Sequence, residues 1–67
     1  MDIKNFAKNC KRLREEHELT QRLLADFADI SQNELCLYEN GHRYPSLRSA
    51  IRIAQVLRVG VDDLLKD

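Results

Sequence analysis

Residues 19–41 read LTQRLLADFADISQNELCLYENG, and the phasing of their apolar side chains decides the fold. Leu24, Ala25 and Ala28 recur at helical spacing. Thr20, just ahead of them, carries a side-chain oxygen suited to capping a helix. The stretch therefore predicts a short helix of about eight residues, broken by Asp29-Ile30. Ser31 opens a second short helix, and Glu34 follows three residues later. Ser-x-x-Glu is the pattern in which each side chain accepts from the other's backbone N–H. Leu35 and Tyr38 face inward, with Ile30 just ahead. Asn40-Gly41 ends the helix, because glycine enters the left-handed region without a Cβ clash. One amphipathic helix cannot bury all of Leu35, Cys36, Leu37 and Tyr38, so Cys36 and Leu37 are left pointing outward or sideways.

On the N-terminal side, Ile3, Phe6, Cys10 and Leu13 mark one helix face over residues 3–16. On the C-terminal side, His42-Arg43-Tyr44-Pro45 is a loop, with Pro45 holding the preceding residue extended. Ser46 caps a fourth helix with Leu47, Ala50, Ile51, Ala54 and Leu57 as its expected core stripe. Val59-Gly60-Val61 is a turn, and Asp62 to Leu65 makes a last helical turn or two. Val59-Gly60-Val61 alone has strand character, and it is too short to pair by itself. The expected class is all-α, one compact domain over residues 1–67.

The chain has 67 residues, enough for one small domain with a thin stability margin. At 43% hydrophobic and 33% charged residues it has a soluble globular composition, which argues against disorder. No apolar run is long enough to cross a bilayer and no secretory signal is present, so no membrane partner and a cytoplasmic location are expected. Cys10 and Cys36 form no CxxC, and His17 and His42 add no metal-ligand spacing. Both thiols are read as reduced packing groups, and neither metal, cofactor nor small-molecule ligand is expected. No nucleophile–base set can be assembled. His17, at a helix end, suits the macrodipole, and an enzyme is excluded. The chain is expected to hold nothing beyond the domain, with no separate sensor or oligomerisation arm. Formal net charge is zero, which counts against a nucleic-acid binder at first sight. The distribution is uneven, however. Lys4, Lys8, Lys11, Arg12 and Arg14 crowd the first helix, and Asp62, Asp63 and Asp67 crowd the last residues.

Two short helices joined by a tight connection form a helix-turn-helix arrangement, whose second helix can enter a major groove. CKRLRE at 10–15, LTQRLLA at 19–25, ISQNEL at 30–35, YENGHRYPS at 38–46 and IAQVLRVGVDDLL at 53–65 resemble the Cro/C1-type (lambda-repressor-like, XRE) DNA-binding domain over nearly the whole chain. The resemblance implies five helices around one core and a regulator that binds double-stranded operator DNA, commonly as a homodimer. It places Gln32, Asn33 and Leu37 on base-facing positions of helix 3. Gln21, Asn40 and Arg43 fall where the family contacts phosphates, with Gln21 also bracing the base readers. Arg14 and Glu39 fall on a pair that forms a salt bridge inside the domain.

The chemistry of those positions stands apart from the name. A helix N-terminus directs free N–H groups at an anion, which suits Gln21 to phosphate. Gln32 and Asn33 can take adenine N6 and N7 with paired hydrogen bonds. The alternative for all three is ordinary polarity in a first turn. Arg43 is otherwise a solvated charge. His42 and Tyr44 share its loop, and Tyr44 could equally fold over the core edge. Glu39 gains nothing from the macrodipole at a helix C-terminus, so a partner arginine would explain it.

Departures from the family pattern are informative. Glu18, Asp29 and Arg58 stand at turn positions where glycine is usual, each misfit costing on the order of 1 kcal/mol. Gly60 stands where a serine usually caps the last helix, so that cap is expected to be weaker. Leu37 stands where a long polar residue is usual. It can read only a thymine methyl, or else it covers a neighbouring helix or a protein partner. Leu23 and Phe27, four apart on helix 2, lie on a face the family leaves polar. Ala28 is small for its position, so Phe27 is expected to swing inward. Otherwise Leu23 and Phe27 form an exposed patch. The leading expectation is a small transcriptional regulator, with Val59, Val61 and Leu65 as the dimer contact. The alternative is a non-catalytic protein-interaction module using Leu23, Phe27 and Leu37.

Overall fold

The computed structural model describes residues 2–67. It has five helices: α1 (Ile3–Glu16), α2 (Gln21–Ala28), α3 (Gln32–Glu39), α4 (Leu47–Leu57) and α5 (Val61–Leu65). Each start has a local cause. The side chains of Asp2, Thr20, Ser31 and Ser46 accept from the backbone N–H of Lys4, Leu23, Glu34 and Ser49, and so cap α1 to α4. Gly60 offers no side chain to cap α5, and only the reciprocal half of a capping box forms, the Asp63 carboxylate accepting from the Gly60 N–H at 2.9 Å.

The core gathers one face from every helix. Phe6, Cys10 and Leu13 of α1 meet Leu24, Ala25 and Ala28 of α2, Leu35 and Tyr38 of α3, and Leu64 of α5. Tyr38 stands edge-on to Phe6, ring centroids 6.2 Å apart at 88°. α1 packs on α3 and α5, and α2 packs on α3 and α4.

Two expectations about phasing are corrected. The buried stripe of α4 is Ala50, Ile53, Ala54 and Leu57, whereas Leu47 and Ile51 are 73% and 39% exposed. At about 100° per residue, Ile51 lies roughly 110° round from the centre of that stripe. Phe27 does not swing inward. It is 63% exposed while Ala28 is buried, because the Cα–Cβ direction on α2 is set by Leu24, Ala25 and Ala28 facing the core.

The turns follow the expected strain. Glu18, Asp29 and Arg58 have φ of 57°, 58° and 58°, and Gly41 has φ of 72°. Three non-glycine residues thus hold left-handed backbone, each at a cost of about 1–2 kcal/mol. The Schellman-like bonds that follow α2 and α4 fix two of them: Ile30 N–H to Ala25 C=O and Val59 N–H to Ala54 C=O, both 3.0 Å.

Candidate nucleic-acid interface

The joint between α1, α2 and α3 is built on one carboxylate. Arg14 Nε donates to Glu39 Oε2 at 2.8 Å and Arg14 Nη2 donates to Glu39 Oε1 at 3.1 Å, a two-pronged pair. Both side chains are shielded, Arg14 being 12% and Glu39 2% exposed. Arg14 Nη1 also donates to the Leu19 carbonyl at 2.8 Å, which holds the turn between α1 and α2. Gln21 Nε2 donates to Glu39 Oε1 at 3.0 Å. The Cys10 thiol lies 3.8 Å from Glu39 Oε2. Burial first, and the Glu39 charge second, push this thiol up to about 12, so Cys10 stays protonated and inert. The hydrogen bond to Glu39 holds the Arg14 guanidinium above its ordinary value.

A second polar cluster fixes the other side of α3. The Tyr38 hydroxyl donates to Glu34 Oε2, and Ser49 Oγ of α4 donates to the same oxygen at 3.3 Å. Burial, then the bond to Glu34, raise the Tyr38 phenol above its ordinary value. Glu34 is therefore turned sideways and does not reach back to Ser31. Only the serine half of the expected capping box forms, with Glu34 N–H donating to Ser31 Oγ at 3.0 Å. The buried phenol and hydroxyl need an acceptor more than the exposed Ser31 N–H does.

What remains of α3 is free. Gln32 and Asn33 occupy its first turn and are exposed. Leu37 is half-buried, one turn further along. Asn40 is exposed and its amide donates to Cys36 Sγ at 3.3 Å. Arg43 is exposed in the loop after Gly41, as are His42 and Tyr44. Of the residues expected to face phosphate, Asn40 and Arg43 lie on the surface beyond the C-terminus of α3. Gln21 commits its side-chain amide to Glu39 and leaves only the N-terminus of α2 for an anion. Val59, Val61 and Leu65 are half-buried against the core.

Asn9 went unnoticed in the sequence. It is buried, and its amide donates to the carbonyls of Leu64 and Lys66 at 3.1 and 2.7 Å, tying α1 to the end of α5. Its position three residues after Phe6, within the apolar stripe of α1, was the available signal.

Two short helices in tandem, the second displaying its first turn to solvent, match what sequence comparison finds. A family profile described as helix-turn-helix matches residues 11–64. The chain belongs to the Cro/C1-type helix-turn-helix family. It is 38% identical over 61 residues to YqaE of Bacillus subtilis (strain 168), named an uncharacterized HTH-type transcriptional regulator. That match covers 91% of this chain and 53% of YqaE, so the chain spans about half the length of this relative. The restriction-modification controller protein C.AhdI from Aeromonas hydrophila superposes with a TM-score of 0.89 at 25% identity, over 94% of this chain and 96% of that one. Hydroxypropylphosphonic acid epoxidase from S. wedmorenis contains the same fold, with a TM-score of 0.82 at 27% identity over 91% of this chain and 32% of that one. Among the described residues, no group of three or more His, Cys, Asp or Glu is placed to hold a metal ion, and no helix is long and apolar enough to cross a membrane.

Proposed function

We propose that the chain binds double-stranded DNA sequence-specifically and regulates transcription by occupying an operator. The observation that carries this reading is the first turn of α3, where Gln32 and Asn33 stand exposed on a helix whose other polar groups are engaged. Their amides are matched to adenine N6 and N7 in a major groove. Arg43 and Asn40, beyond the other end of α3, suit the flanking phosphates, which supply affinity without selectivity. Leu37 suits a thymine methyl. The family membership and the regulator and controller names of YqaE and C.AhdI support the same reading. The epoxidase match keeps the fold by itself from deciding it.

A single small domain offers few contacts, so we read the binding unit as a twofold homodimer on an inverted repeat, with Val59, Val61 and Leu65 at the copy-to-copy contact. Selection of bound duplexes from a random pool tests both parts. The expected result is an enriched inverted repeat with adenine or thymine at the positions met by α3. A pool that never departs from random sequence would remove the regulator reading, and an enriched single half-site would remove the dimer.

A further inference from the structure

A second surface joins the exposed side of α2 to the exposed side of α4. Leu23 and Phe27 on α2 are 43% and 63% exposed, and Leu47 and Ile51 on α4 are more exposed than a core helix would leave them. Two shallow grooves, about 490 and 510 Å³, run along α4 and share Gln55. Leu19, Phe27 and Val56 floor the first, and Leu47 and Ile51 floor the second. No residue assigned to DNA lines either groove. The charged or titratable side chains that do are His17, Arg58, Arg48 and Arg52, with no carboxylate among them. In a chain of zero formal charge this is a local basic excess. Asp29 reaches Arg52 at 3.7 Å, but its side chain is 87% exposed and screens little.

We propose that this α2–α4 face docks an acidic amphipathic helix of a partner protein. Its apolar stripe would seat on Phe27, Leu47 and Ile51, and its carboxylates would meet Arg48, Arg52 and Arg58. The two grooves share Gln55 and together extend from Leu47 to Arg58, about 16 Å at helical rise, the length of three helical turns. A helix laid in such a groove anchors through side chains at i, i+3 or i+4, and i+7. A second copy of this chain fits less well. A twofold contact sets the patch against a copy of itself, and a patch lined by arginines and no carboxylate would meet no acid there. A DNA backbone would satisfy the arginines and leave Phe27, Leu47 and Ile51 without an apolar partner. The proposal is independent of the DNA reading, since the two surfaces share no residue.

The test is selection of roughly 16-residue random peptides, long enough for about four helical turns, on the intact protein. Counter-selection uses the Phe27→Ser/Ile51→Ser protein. Both positions are exposed, and circular dichroism checks that the fold is kept. The expected winners carry Leu, Ile or Phe at helical spacing, flanked by Asp and Glu. In anisotropy titrations, Arg48→Glu/Arg52→Glu should weaken them by about tenfold or more, and so should replacing their acids by Lys. Selected operator duplex should bind the Phe27→Ser/Ile51→Ser protein as well as the parent. Winners without acidic residues, or equal binding to parent and double variant, would overturn the proposal. So would displacement of the peptides by random duplex, which would make the face a DNA surface. Loss of a dimer by the double variant in sedimentation would also overturn it, by making the face a contact between copies.

Discussion

Gln21 and Gln32 begin successive helices, each directly after a capping hydroxyl, Thr20 or Ser31. In sequence the two positions look alike. In the structure Gln21 gives its amide to Glu39 at 3.0 Å, whereas Gln32 stands in solvent with no partner of its own. The difference lies in what each helix faces. The start of α2 abuts the last turn of α3, where a shielded carboxylate accepts hydrogen bonds. At the start of α3 only Glu34 turns back to the fold, and Gln32 and Asn33 are exposed. An eight-residue helix is marginal by itself, so α3 must be held from elsewhere. Glu39 ties its last turn to Arg14 and Gln21, and Glu34 in its first turn takes a bond from Ser49 of α4, so Gln32 and Asn33 are the side chains left exposed. No buried side-chain nitrogen or oxygen among the described residues lacks a partner, so the unspent hydrogen-bonding capacity lies at the surface.

The largest expected effect breaks the held end. Glu39→Ala leaves Arg14 shielded without its anion and Gln21 without its acceptor, and should cost about 3–5 kcal/mol of stability. Urea denaturation reads this directly, and a loss below about 1 kcal/mol would mean the joint contributes little. Next is the free end. Gln32→Ala should leave the denaturation midpoint unchanged within about 0.5 kcal/mol, as for a surface site. It should cost about 1–3 kcal/mol on the selected operator and nothing on random duplex, measured by titration at one salt concentration. Arg43→Ala should weaken operator and random duplex alike, and flatten the slope of log affinity against log salt by about one. An unchanged slope would take Arg43 off the phosphates. Replacing one operator thymine by uracil should cost the parent protein up to about 1 kcal/mol and Leu37→Ala much less. Equal penalties would place the half-buried Leu37 outside base reading. The smallest change sharpens the comparison by sparing both ends. Glu18→Gly relieves a left-handed backbone and should gain about 0.5–1 kcal/mol, the strain released less the entropy glycine adds to the unfolded chain. Its DNA affinity should not move.

The boundaries of α1 were legible because Phe6, Cys10 and Leu13 keep one helical phase. The left-handed turns at Glu18, Asp29 and Arg58 were legible because the glycine positions of the resembled pattern coincide with helix ends. The face of α4 was misread for a physical reason. Leu47-Ala50-Ile51-Ala54 and Ala50-Ile53-Ala54-Leu57 both satisfy three- and four-residue spacing, and only the neighbours decide which sinks. Phe27 was misread by asking what would fill space beside a small Ala28, when backbone direction rather than side-chain size sets the facing residue. The polar contacts of Asn9, Glu34 and Gln21 join residues far apart in sequence or choose among several acceptors, and local patterning carries no such information. At the candidate site Gln32, Asn33 and Arg43 are exposed, and local patterning does not distinguish a ligand-facing amide or guanidinium from any other polar group on a surface.

Glu39 also has a consequence for timing. Its two oxygens take hydrogen bonds from Arg14 and Gln21, so the end of α3 cannot loosen unless α1 and α2 release it together. Amide hydrogens in that last turn should therefore exchange with solvent only through global opening. Those of the first turn need only local fraying, and should exchange orders of magnitude faster. A helix with two such clocks keeps a fixed axis while its leading edge resamples side-chain positions. Gln32 and Asn33 can therefore change rotamer while the rest of the fold stays closed.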